Sequence, residues 1–280
     1  MKSKKEQNMR TFYILPSLAA GALMGCMLVF PREAAEAALA ALTVFARSVL
    51  PALLPFSVCA QLLTAGHSIP ADLLCLLALP GGSPTGARLF AQAPLSPAEA
   101  RRCAVLTGTL SPMFFLSTLS GWLDDPRKGA GLLAVHLLSA LLCGLFFRQK
   151  PQGRIVLPPV IIPQALAQSA QAMLTVAGAI VLGAVAARML RCALPLPPGM
   201  AAVLHALLEV TAGSHALISL ALPLPLLAAL LSFGGLSLLL QNAAFWQQNG
   251  LGAASLAALA LPRAAIAFLL CAVLVQTGIL

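Results

Sequence analysis

Glu209 stands deep in an apolar run, between Leu208 and Val210, whereas the other seven acidic residues lie near ends or in loops. A charge at the centre of a membrane helix costs about 3 kcal/mol on insertion scales. Such a carboxyl faces a cavity, pairs with another group, or carries protons. His205, four residues earlier on the same helical face, is the candidate partner, or else packs between helices. Immediately after Glu209 the run breaks at Thr211-Ala212-Gly213-Ser214. Three more breaks interrupt apolar stretches: Pro80-Gly81-Gly82-Ser83-Pro84-Thr85-Gly86, Gly108-Thr109-Leu110-Ser111-Pro112 and Ser232-Phe233-Gly234-Gly235-Leu236-Ser237. Arg88 follows the first, and Gln241 with Asn242 follow the last.

Unpaired backbone at membrane depth costs several kcal/mol per group unless it lines a cavity or is buried in protein. Helix N-termini exposed at a break suit an anion, and carbonyl ends suit a cation. The half-helix N-termini near Thr85 and Ser214 are therefore expected to hold substrate carboxylates, with Glu209 serving coupling or gating. The amides of Gln241 and Asn242 both donate and accept, as coordination requires. Arg88 either draws an anion into the hairpin mouth or anchors at the headgroups. The competing reading makes the breaks ordinary kinks that let helices approach closely. The candidate substrate or ion site comprises Gly82, Ser83, Pro84, Thr85, Gly86, Arg88, Thr109, Ser111, Glu209, Thr211, Gly213, Ser214, Ser232, Gly234, Gly235, Ser237, Gln241 and Asn242. His136 and His215 receive no role.

The elements that must position these residues are membrane helices. Of 280 residues, 60% are hydrophobic and 9% charged, against roughly 25% charged in soluble domains. Mean hydropathy is +0.93. This excludes a soluble globular enzyme, a disordered chain and a nucleic-acid-binding module. The net charge of +9 sets topology through basic loops, notably Lys2, Lys4, Lys5 and Arg10 at the start and Arg148, Lys150 and Arg154 mid-chain. The seven cysteines form no C-x-x-C pair and read as apolar packing residues. No metal site or cofactor is expected. HExxH, G-x-S-x-G and Walker A motifs are absent, as is the aspartate pair of an intramembrane protease, so no enzymatic activity is expected.

The predicted fold is an all-α polytopic membrane protein of about seven full spans and two re-entrant helical hairpins. Residues 1–32 form a basic tail and a retained first span, 33–148 a first repeat, 149–163 a proline-rich linker, and 164–280 a second repeat. Pro51 and Pro55 are expected to kink or break the run 34–65. Ser96, Pro97 and Glu99 form a capping-box start. The first breaks of the two halves are offset by about 130 residues and the second by about 122. With the N-terminus cytoplasmic and 69–95 re-entrant, the repeats come out inverted, though Arg188 and Arg191 then fall on the outer side. Interrupted hydrophobic segments at corresponding positions of two halves point to a transporter binding site. Expected partners are the lipid bilayer, a small organic anion and a coupling ion, H⁺ or Na⁺; oligomeric state is not specified.

The same breaks carry a family resemblance. Pro51-Ala52-Leu53-Leu54-Pro55-Phe56, Gly82-Ser83-Pro84-Thr85-Gly86-Ala87-Arg88, Ser111-Pro112-Met113-Phe114, Leu208-Glu209-Val210-Thr211-Ala212-Gly213, and Ser232 to Ser237 with Gln241 resemble, in order and spacing, the YlbJ-type (SpoVV) sporulation integral membrane proteins. These belong with the nucleoside-recognition, or gate, domain proteins. The chain is similar to a divergent member: Ser83 stands where the family has an aromatic residue, and Gly108, Thr109 and Ser111 occupy the stretch of a polar Asn pair. The resemblance implies a transporter or facilitator delivering dipicolinate to the forespore, seated in the outer forespore membrane. The alternatives are a non-transporting assembly or scaffold protein of spore maturation, and a nucleoside-like solute carrier on the same fold.

Overall fold

The computed structural model describes residues 2–91, 93–147 and 154–280, with residues 2–15 described by their backbone alone. The side chains of Lys2, Lys4, Lys5 and Arg10, and the whole of Arg148 and Lys150, lie outside the described residues. The described chain is almost entirely helical. Five stretches are long and apolar enough to cross a membrane: Pro31–Thr64, Pro126–Leu145, Ile162–Ala193, Leu224–Asn249 and Ala253–Gln276. Length and composition together make this an integral membrane protein of the all-α class.

Helix α1 (Lys2–Val29) is followed by α2 (Pro31–Val44) and α3 (Leu50–Thr64), joined by the π-helical turn Phe45–Val49. Pro51 and Pro55 do not break this run. The π turn absorbs the change in pitch before them, and Pro51 occupies the first turn of α3, where its missing N–H costs little. Two half-helices follow, α4 (Ala71–Ala78) and α5 (Thr85–Ala91). Helix α6 (Pro97–Thr107) opens on the Ser96/Glu99 capping box. Beyond the second break, a π turn Phe114–Leu119 leads through α7 (Ser120–Leu123) to α8 (Pro126–Leu145), which Asp125 caps.

The second half runs α9 (Ile162–Ala193), α10 (Pro198–Leu208), α11 (Val210–Ser219), α12 (Leu224–Phe233), α13 (Gly235–Trp246) and α14 (Ala253–Gln276). Helix α9 packs along α2, α3 and α13, while α14 lies against both α12 and α8. The half-helices pair as hairpins, α4 with α5 and α10 with α11.

One element was not expected. Residues β1 (Ser68–Pro70) and β2 (Arg154–Val156) form a short antiparallel ribbon, with Ile69 opposite Ile155. It extends through Leu157 N–H to His67 O and Gly66 N–H to Pro158 O. The described end of the proline-rich linker is therefore docked on the entrance to α4. Cys75, Cys103, Cys143 and Cys271 are buried packing residues, but Cys59 is exposed; all are free thiols.

Candidate functional site

In each half the backbone breaks pack on one another. In the first, the Ser83 N–H donates to Thr109 O at 2.8 Å, and Ser111 Oγ faces Pro80 O. Gly82 turns here with φ +59°, and a side chain at that position would collide with the Ser111 backbone. In the second, Gly235 (φ +69°) presses on the tip of the α10–α11 hairpin. A Cβ there would lie 2.8 Å from Ala206 O and 3.2 Å from Val210 N. The halves are tied by Ser83 Oγ donating to Asn242 Oδ1 at 2.7 Å.

Glu209 and Arg263 are the two fully buried charged side chains among the described residues. They do not pair with each other. Glu209 has an extended backbone (φ −139°, ψ 110°) and forms the N-cap of α11. Its Oε1 accepts the Thr211 N–H at 2.8 Å and its Oε2 the Ala212 N–H at 2.7 Å. The chain thus places its own carboxylate on the helix N-terminus expected to hold substrate, as the alternative reading of Glu209, a structural hydrogen-bonding group, would have it. That N-terminus begins at Val210. Ser214 lies a turn further in, buried, with no partner for its Oγ among the described residues. His205 is not the partner of the Glu209 carboxyl either; its Nε2 is buried with no partner among the described residues, and its carbonyl meets Glu209 through the backbone N–H.

Arg263 performs the opposite task. From α14 its Nε donates to Ser232 O at 2.7 Å and its Nη1 to Val105 O at 3.3 Å. These carbonyls belong to the C-terminal ends of α12 and α6, where the helix dipoles concentrate negative partial charge. His136, from α8, completes the junction. The Leu110 N–H donates to Nε2 at 3.1 Å, which leaves the ring proton on Nδ1 to face Ser232 Oγ at 3.0 Å. The last helix of each half therefore supplies a polar side chain that satisfies broken backbone. His136 has a structural role after all.

Two cavities take in most of the candidate polar side chains. The smaller, about 40 Å³, is lined by Ser83, Ser111, Glu209, Thr211, Ser237 and Gln241, together with apolar residues of α3 and α9. All four breaks contribute to it or border it. One water needs about 10–15 Å³ of such space, so this junction has room for a few waters and not for an organic anion. Gln241 Oε1 is buried there without a partner among the described residues. The larger cavity, about 420 Å³, is lined by Ser57, Gln61, Thr64, Thr85, Arg88, Gln168, Gln171, Thr175, Phe245 and Gln248, among others.

The same helices line both cavities, about a turn apart. Helix α3 and its π turn contribute Val49 and Leu53, then Ser57, Gln61 and Thr64; α9 contributes Ile180 and Val176, then Thr175, Gln171 and Gln168; α13 contributes Gln241, then Phe245 and Gln248.

Arg88 reaches into the larger cavity. Its Nη1 donates to Ser57 Oγ at 3.0 Å and its Nη2 to Gln61 Oε1 at 3.2 Å. Gln61 Nε2 in turn donates to Ser169 Oγ at 2.6 Å. Among the described residues no carboxylate pairs with this guanidinium. The sequence reading missed Ser57, Gln61 and the Gln168–Gln171–Thr175 row. Their signal was present: polar residues recurring at three- and four-residue steps inside otherwise apolar helices.

The remaining candidates are placed outside the cavities. Thr109 acts through its carbonyl and Ser232 through both carbonyl and hydroxyl, Gly213 packs on Ala206, Gly86 packs on Thr107, and Gly234 ends α12 with φ +90°. No protein-family model, curated protein or solved structure matches the chain.

Proposed function

We propose that this protein is a secondary carrier or facilitator for a small organic anion, built from two inverted repeats with a re-entrant hairpin in each. The observation that carries the reading is Arg88, a guanidinium without a carboxylate partner among the described residues, on the wall of a cavity of about 420 Å³. Ligand pockets of drug-sized molecules run to about 300–1,000 Å³, so the cavity is large enough for a small dicarboxylate. In this reading the smaller cavity, about 40 Å³ at the four breaks, is the closed part of the same route. A path roomy at one end and closed at the other suits alternating access around a midplane site. The break-on-break packing repeated in each half supports the repeat architecture.

In this reading the substrate enters the larger cavity, one carboxylate exchanges hydrogen bonds with Arg88, and glutamine and threonine side chains satisfy the remaining oxygens. A planar, charge-assisted donor fork suits a carboxylate better than a lysine would. Passage requires the junction to open, which means separating the hairpin tips from the crossing helices. Glu209 gates that step by holding the start of α11. The family resemblance points to dipicolinate as substrate, to the outer forespore membrane as location, and to a cytoplasmic N-terminus with about seven full spans.

The test is uptake of labelled dipicolinate into proteoliposomes. Wild type should accumulate it, and Arg88→Gln should raise the half-saturating concentration about tenfold or more, the worth of one charged hydrogen bond. Arg88→Lys should recover part of the loss. No uptake by folded wild type would remove dipicolinate as substrate. Uptake unaffected by Arg88→Gln would remove the larger cavity from the path. Excess nucleoside should not compete; competition would favour the nucleoside-carrier alternative.

A further inference from the structure

A second groove, unrelated to the transport path, opens on the outside of the first half. It has a volume of about 330 Å³ and is walled by Leu76 of α4, Leu79 just beyond it, Leu106 of α6, and Leu137, Leu141 and Leu145 of α8. Leu76, Leu141 and Leu145 are 60%, 53% and 73% exposed, so the groove faces the lipid phase. From Leu137 to Leu145 the wall rises about 12 Å at ~1.5 Å per residue, nearly the ~15 Å depth of one leaflet's hydrocarbon.

Its polar end is a guanidinium. Arg102 lines the groove with a side chain only 11% exposed, and its one ionic contact runs from Nη2 to Asp72 Oδ1 at 3.4 Å. Its Nε and Nη1 are buried without a hydrogen-bond partner among the described residues. Two nitrogens of a cation, with three N–H groups between them, left unsatisfied are costly. Asp72 is 61% exposed and makes a single long contact. Arg101, next in the chain, is exposed at the same end. The three side chains carry a net charge of +1.

We infer that this groove is a binding site for an anionic phospholipid, with one acyl chain along the leucine wall and the phosphate at Arg102. Charge complementarity selects the occupant: an apolar slot of leaflet depth ending in an undersatisfied guanidinium matches a lipid whose headgroup oxygens supply the missing acceptors. A small turn of the Arg102 side chain toward the groove mouth brings Nη1 to the headgroup, with Asp72 retaining Nη2.

Native mass spectrometry of the detergent-purified full chain, offered equal phosphatidylglycerol and phosphatidylcholine, tests this. Wild type should retain phosphatidylglycerol about fivefold over phosphatidylcholine, the worth of one basic residue at a headgroup. Arg102→Gln should bring the ratio to about one. Leu141→Trp, at an exposed position that tolerates bulk, should lower retention of both lipids by filling the slot. Asp72→Asn breaks the same ion pair without removing the guanidinium and should keep the wild-type preference or raise it. A wild-type ratio near one, an unchanged ratio in Arg102→Gln, or undiminished retention in Leu141→Trp would overturn the proposal. Loss of preference in Asp72→Asn equal to that in Arg102→Gln would also overturn it, since it would assign the effect to the ion pair.

Discussion

The imidazole Nδ1 of His136 and the hydroxyl of Ser232 lie 3.0 Å apart, joining the last helix of the first half to the broken helix of the second. The other ring nitrogen accepts the Leu110 N–H at the second break. One side chain thus satisfies polar groups on two interrupted helices, and Arg263 reaches the same Ser232 through its carbonyl. Interhelical hydrogen bonds in membranes average about 0.6 kcal/mol, with a maximum near 1.7. A double-mutant cycle of His136→Ala and Ser232→Ala, read by thermal unfolding in detergent, should give a coupling within that range. His136→Ala alone should cost more than Ser232→Ala, about 1–3 kcal/mol more, because it also orphans the Leu110 amide. Additive single effects would mean that the two groups do not bond.

Glu209 is both a cap and a gate in the proposed cycle, and its variants separate these roles. Glu209→Ala removes both acceptors from the Thr211 and Ala212 amides and should cost about 1–2 kcal/mol of stability. Glu209→Gln keeps one acceptor oxygen but turns an NH₂ toward the second amide, so it should recover only part of that loss. Glu209→Asp keeps a carboxylate at the cap, which reaches the second and third amides as Asp125 does on α8, and should retain most of the stability. If capping is its whole role, transport measured at equal folded fraction should follow stability across the three variants. The gating role predicts that Glu209→Gln falls about tenfold below that trend, equivalent to about 1.4 kcal/mol in the rate-limiting step. Transport that tracks stability alone would leave Glu209 a cap.

Much of this architecture is legible in the sequence because Gly, Pro and Ser clusters inside apolar runs have few other uses. Three of the breaks interrupt helices at the Gly/Pro/Ser clusters themselves; the third in chain order falls at Glu209, and Thr211–Ser214, where the composition placed it, is the first turn of α11. The isolated carboxyl of Glu209 marks a break for the same reason. What the sequence does not reveal is pairing in space. Spacing put His205 on the Glu209 face, but the extended backbone at Glu209 rotates it out of helical register and turns the carboxyl forward onto α11. His136 and Arg263 look like isolated polar residues in long spans, because their partners, mostly backbone groups, lie up to 158 residues away. Pro51 and Pro55 predict a break, and nothing in composition announces that a π turn will absorb them. The Ser68–Pro70 ribbon is three residues per strand, too short for an alternating pattern to register.

Close backbone approach gives a sharper test of the hairpin geometry than any polar contact. Gly213 in α11 lies directly against Ala206 in α10, and a Cβ at Gly213 would overlap the Ala206 backbone. Gly178 in α9 has nothing within 4 Å of the corresponding position. Both are glycines in helices, so intrinsic propensity favours alanine at each by up to about 1 kcal/mol. Gly178→Ala should therefore be neutral or slightly stabilising. Gly213→Ala must instead separate α10 from α11 or shift a helix, a strain of about 1–3 kcal/mol that outweighs the propensity gain. Thermal unfolding of the two variants in the same detergent should move in opposite directions or differ by several degrees. Because α10 and α11 meet at the Glu209 cap, Gly213→Ala should also slow transport, whereas Gly178→Ala should not. Equal unfolding temperatures would mean that the α10–α11 hairpin is not closed as the structure has it.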